Sequence, residues 1–172
     1  MKKLFLPFLA IVIFMSESIL VDLWPKNEWY QDYLFAPRFL FVFILLITVY
    51  VTRTYGMIYG FIFGLLYDVV YTEILGVYAF AFTLMAYVME KAMKIFHNHL
   101  AVTCFLSMLA IMMLEFYVYG IQLLIGKTDM PIDQFNSHRL LPTLLINVIF
   151  LFLFSYPLKQ WLLKFGRDER EE

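Results

Sequence analysis

Charge is what this sequence has least of. Only 16% of its residues are Asp, Glu, Lys or Arg, where soluble domains carry about 25%. With 63% hydrophobic residues, too few polar side chains remain to clothe a water-facing core. A soluble domain is excluded, and the chain reads as an integral membrane protein. A basic surface is missing too: the net charge is −1, which gives no electrostatic footprint for nucleic acid. Cysteine is reduced to Cys104, so no intramolecular disulfide can form. Its apolar surroundings predict a buried, inert thiol. Catalytic signatures are absent as well. There is no His-Glu-x-x-His, no phosphate-cradling glycine loop with a lysine and no Gly-x-Ser-x-Gly. His97 and His99 flank Asn98 without a third ligand, which is too little for a metal. Ser107 and Ser155 have no histidine beside them in sequence. The expectation is no enzyme, no cofactor and no metal.

What the chain does have is long apolar runs. A spanning helix needs about 20 largely apolar residues, and six can be placed, at 4–23, 37–52, 54–71, 76–95, 100–125 and 140–165. They predict one all-α transmembrane domain over residues 1–172. The second and third spans read as a tight hairpin around Arg53, and the third turns into the fourth around Thr72 and Glu73. Lys2, Lys3 and the following apolar run have the outline of a signal peptide. The run continues to spanning length through Ile19, Leu20 and Val21, so an uncleaved first helix is expected.

Lys and Arg set the orientation. With the N-terminus inside, Lys2, Lys3, Arg53, Lys91, Lys94, Lys159, Lys164, Arg167 and Arg170 are cytoplasmic, while Lys26, Arg38, Lys127 and Arg139 are outside. Six spans with both termini in the cytoplasm satisfy this bias. Trp24, Trp29, Tyr30 and Tyr33 suit the outer interface and Trp161 the inner one.

The most ordered pattern is Gly56, Gly60 and Gly64, spaced one helical turn apart and followed at the same interval by Asp68, with Gly76 close behind. Such a ridge lets a neighbouring backbone approach closely where lipid supplies no hydrophobic drive. These five residues are candidates for helix packing or partner binding. A second group is polar: Glu17, Asp22, Arg38, Glu115, Gln122 and Asn147, which the expected topology puts in the outer half of the membrane. Charges at that depth must face protein or trapped water. Either they pair with Arg38, Arg139 and backbone amides and fix helix order, or they line an outward pocket or partner surface.

These residues carry a resemblance. The Phe5-to-Phe8 run with Glu17, Ser18 and Asp22, the Ala36-Pro37-Arg38-Phe39 stretch, the glycine ridge through Asp68, Leu75 to Tyr78, and Leu114 to Gln122 together resemble the bacterial rod shape-determining MreD family over essentially the whole length. Gly60, Gly64, Asp68 and Gly76 are the best-matched motif positions. The resemblance implies a non-catalytic scaffold in the bacterial cell membrane, within the elongation machinery that builds lateral peptidoglycan. It implies an MreC-type partner, with MreB, the RodA polymerase and a class B penicillin-binding protein in the same assembly. It also implies a fold like the substrate-binding S components of energy-coupling vitamin transporters. A transporter subunit with a small-molecule site is the rival reading, and a lipid-modifying enzyme a more distant third.

Overall fold

A computed structural model of the chain describes residues 5–23, 35–72, 74–96 and 99–171. Trp24, Trp29, Tyr30, Tyr33, Glu73, His97 and Asn98 lie outside the described residues, as does the side chain of Asp22. The described secondary structure is helical: α1 Phe5–Leu23, α2 Phe39–Tyr50, α3 Arg53–Tyr71, α4 Val77–Phe96, α5 Leu100–Leu124, α6 Ile132–Phe135 and α7 Leu141–Glu171. A π-helical turn, Asn136–Leu140, joins α6 directly to α7. Counting that joined rod once gives six helical stretches.

The second helix organises the others. Every face of Phe39–Tyr50 is apolar, and all of it except Val49 is buried. A helix apolar all round belongs in a core, and α2 touches α1, α3, α4, α5 and α7. It is shorter than the sequence predicts. Twelve residues rise about 18 Å, well under a hydrocarbon core of about 30 Å. The reason lies at Pro37, which lacks an N–H and disfavours helical geometry at Ala36. Residues 35–38 are consequently non-helical. At the other end Thr52 turns extended and caps α3, its side chain accepting from the Tyr55 amide at 3.4 Å.

The glycine ridge packs inside the protein. At Gly56 an added Cβ would run into the Thr48 side chain on α2. At Gly60 it would lie 3.1 Å from the Phe82 carbonyl carbon, and at Gly64 2.5 Å from Ala79 Cα, both on α4. The ridge is therefore divided between two neighbours of its own chain. Gly76 does something else. It adopts φ +104°, and nothing lies within 4 Å of where its Cβ would be. It is a turn glycine rather than a packing one.

The last helix also departs from expectation, since helix begins at Ile132 instead of Leu140. Pro131 stands at its N-cap, where a missing N–H costs nothing, and Pro157 is carried inside α7. Cys104 is half-buried rather than enclosed. Three helical stretches are long and apolar enough to cross a membrane: Arg53–Tyr71, Leu100–Leu124 and Ile132–Arg167.

Candidate functional site

The polar residues converge where the non-helical stretch before α2 meets α5 and α7. Backbone that leaves helical geometry at membrane depth must find other partners, and α7 supplies them. Thr143 Oγ1 accepts from the Ala36 amide at 3.2 Å, and Asn147 Oδ1 accepts from the Arg38 amide at 2.9 Å. Asn147 Nδ2 donates to the carbonyls of Ala36 at 3.3 Å and Thr143 at 2.7 Å. Asn147 thus acts as a surrogate backbone for this stretch.

So held, Arg38 sends its guanidinium inward. Its Nε donates to Glu115 Oε1 at 2.8 Å, and its Nη2 lies 2.7 Å from the same oxygen. Nη2 also donates to the Tyr78 hydroxyl at 3.0 Å. The rings of Tyr78 and Tyr67 lie 5.1 and 5.9 Å from the guanidinium carbon, within cation–π range. Arg139, carried on the π-helical turn, donates from Nε to Glu115 Oε2 at 3.0 Å and from Nη1 to Gln122 Oε1 at 3.3 Å. Glu115 is fully buried and holds one guanidinium on each oxygen.

Two further carboxylates cap helices other than their own. Glu17 of α1 accepts through Oε1 from the Leu40 amide, in the first turn of α2, at 2.7 Å, and through Oε2 from the Tyr67 hydroxyl. Asp68 of α3 accepts from the amides of Gly76 at 2.9 Å, Tyr78 at 2.8 Å and Ala79 at 3.1 Å. The first turn of a helix leaves its amides unpaired and carries partial positive charge. Each carboxylate fills that need from a neighbouring element.

The structure therefore joins five of the sequence candidates, Glu17, Arg38, Glu115, Gln122 and Asn147, through shared neighbours. Asp68 touches this group through Tyr78, whose amide donates to it and whose hydroxyl accepts from Arg38, and it anchors the start of α4. All six oxygens of Glu17, Asp68 and Glu115 accept a hydrogen bond. These three carboxylates are therefore paired rather than free. Sequence reasoning missed Tyr67, Tyr78 and Thr143. The available signal was the Tyr67-Asp68 to Gly76-Val77-Tyr78 spacing, a carboxylate ahead of a glycine turn and a new helix. Among the described residues no group of three or more His, Cys, Asp and Glu could hold a metal.

Residues 2–165 match the family described as rod shape-determining protein MreD. The chain is 38% identical over 172 residues, the full length of both proteins, to the rod shape-determining protein MreD of Bacillus subtilis (strain 168). No solved structure matches it. A buried network of this kind, which draws on all three described helical stretches long and apolar enough to cross a bilayer, accordingly sits in a membrane protein that belongs to the MreD family of rod shape-determining proteins.

Proposed function

We propose that this chain is a non-catalytic membrane scaffold of the cell-elongation machinery, helping to organise lateral peptidoglycan synthesis by binding an MreC-type protein. MreB, RodA and a class B penicillin-binding protein complete the assembly, and the chain forms one six-span domain with both termini cytoplasmic. The observation that carries this reading is the closed state of the core. Every carboxylate oxygen of Glu17, Asp68 and Glu115 is engaged by the chain itself. Such a network holds helices in one arrangement, and a scaffold's output is arrangement.

The glycine seam also bears on where a partner docks. Gly56, Gly60 and Gly64 are occupied by α2 and α4, so a partner helix meets other surfaces. The outer faces of α1 and α3 offer Phe8, Met15, Ile19, Phe61 and Ile62, all exposed. A transporter subunit of S-component fold remains the rival. An open polar cavity would favour it, and the engaged carboxylates speak against it.

The test is purification of the tagged protein from its native membrane in mild detergent, with identification of what accompanies it. An MreC-type protein or cell-wall synthases are expected. An ATPase-containing transport module, or a retained vitamin-like molecule, would overturn the scaffold reading. Phe61→Ser with Ile62→Ser should lower partner recovery while the chain itself stays in the membrane.

A further inference from the structure

Between α5 and α7 runs a groove of about 420 Å³. Leu100, Cys104 and Met108 form one wall, and Val148, Phe152 and Ser155 the other. One turn beyond Ser155 on the same face of α7 comes Lys159. Its ammonium lies 5.5 Å from the centre of the Tyr50 ring. The Tyr50 hydroxyl is in turn 3.0 Å from the hydroxyl of Thr103, the neighbour of Cys104. Lys159 thus stands at one end of the groove. Among the described residues, the carboxylates that form ion pairs are Glu90 and Glu115, and neither pairs with Lys159.

The dimensions select an occupant. The helix rise from Val148 to Lys159 is about 16 Å, and one leaflet contributes about 15 Å of hydrocarbon. A chain lying along the groove would reach mid-membrane with its polar end at Lys159. Trp161, packed against Phe5 and Phe165, is the residue type that marks the interface at that level. The groove's lining is almost wholly apolar, which suits an acyl chain.

We propose that this groove is a binding site for one anionic phospholipid, with an acyl chain between α5 and α7 and the phosphate on Lys159. The start of α5 contributes to the same end. Its first-turn amides have no acceptor within the helix, and the His99 side chain gives no cap. The positive helix end and the ammonium therefore both favour a phosphate over a neutral headgroup.

The experiment uses the full chain in mild detergent, offered phosphatidylglycerol and phosphatidylcholine of matched acyl chains in equal amounts. Native mass spectrometry reads the lipid retained. The wild type should keep phosphatidylglycerol over phosphatidylcholine by about fivefold, the scale of one lysine near an anionic headgroup. Lys159→Gln should bring the ratio to about one, and Lys159→Arg should preserve it. Ala101 also lines the groove, and Ala101→Phe, which fills it and leaves Lys159 in place, should lower retention of both lipids. Equal retention by the wild type overturns the proposal. So does a preference that survives Lys159→Gln, or retention that survives Ala101→Phe. If Lys159→Gln fails to fold, Lys159→Arg and Ala101→Phe decide.

Discussion

Arg38 Nη2 lies 2.7 Å from Glu115 Oε1, with the Glu115 side chain fully buried, although the two residues are 77 positions apart in the chain. The pair fastens the non-helical entrance of α2 to the middle of α5. Arg139 approaches Glu115 from the opposite side at 3.0 Å, so the carboxylate also holds the π-helical turn that begins the last helix. One side chain thus sets the relative positions of three segments. The Tyr78 hydroxyl on Arg38 adds α4.

Removing Glu115 alone should be worse than removing it together with Arg38. Breaking a buried ion pair from one side leaves an unpaired charge and costs about 3–5 kcal/mol, while an apolar pair of similar volume is often neutral. Glu115→Ala, which leaves the buried Arg38 without its carboxylate, should lower the thermal midpoint in detergent strongly, and Arg38→Met less, because Arg139 still pairs with Glu115. Arg38→Met with Glu115→Leu should lie above Glu115→Ala. Arg139 is partly exposed and can turn toward the headgroups. A double variant at least as unstable as the worse single one would show that the pair is not a closed unit.

Gly64 is the ridge glycine most closely approached by neighbouring backbone. A Cβ there meets Ala79 Cα at 2.5 Å, Ala79 N at 2.7 Å and Tyr78 O at 2.7 Å. These are backbone atoms, and they can yield only if α3 and α4 separate. Gly64→Ala should therefore cost about 1–3 kcal/mol or more, and Gly60→Ala less, since its nearest contact is 3.1 Å. Gly120→Ala has nothing within 4 Å and should be neutral or slightly stabilising. Thermal unfolding of the three variants checks the order. A Gly120→Ala as damaging as Gly64→Ala would refute it.

The parts of this architecture legible in sequence are those written in period and composition. The glycines one turn apart announced a close seam, and apolar runs announced long helices. What the sequence hid was direction. The same seam could have faced a partner, and only packing assigns Gly56 to α2 and Gly60 and Gly64 to α4. The short α2 was hidden because apolar residues at 37–52 look alike whether helical or extended. Asn147, over a hundred positions from Ala36 and Arg38, makes the non-helical start tolerable. What Asp68 holds was hidden for a similar reason. The amides that donate to it lie across a turn, so helical periodicity alone could not connect them.

Asp68 should matter to α4 more than to α3. Its two oxygens hold amides at Gly76, Tyr78 and Ala79, where capping side chains contribute about 0.5–2 kcal/mol each. Asp68→Ala leaves those amides without their acceptor. Asp68→Asn keeps one acceptor and should be intermediate. Amide hydrogen exchange is the direct readout. Protection at Tyr78 and Ala79 should fall in Asp68→Ala while protection within α2 is unchanged. Gly76→Ala should reproduce part of the loss, because φ +104° is strained for any residue with a Cβ.

Glu17 and Tyr67 should prove coupled. The Tyr67 hydroxyl donates to Glu17 Oε2, while Oε1 accepts from the Leu40 amide at 2.7 Å. Tyr67→Phe removes one donor and leaves a buried carboxylate oxygen unpaired, at about 1–3 kcal/mol. Glu17→Gln retains an acceptor for the Leu40 amide and replaces the other oxygen with a donor. The hydroxyl of Tyr67 can reverse its role and accept from that donor, so this variant should be the milder of the two. Combining them leaves a neutral amide nitrogen unpaired in place of a carboxylate oxygen, and an unpaired charged group costs more. The double variant should therefore lose less stability than the two losses added, by about 0.5–3 kcal/mol, the range for residues in one hydrogen-bond network. Strict additivity in detergent unfolding would mean that Glu17 holds α2 through the Leu40 amide alone. The tyrosine would then serve only through its ring, which packs edge-on against Phe14 at 5.3 Å.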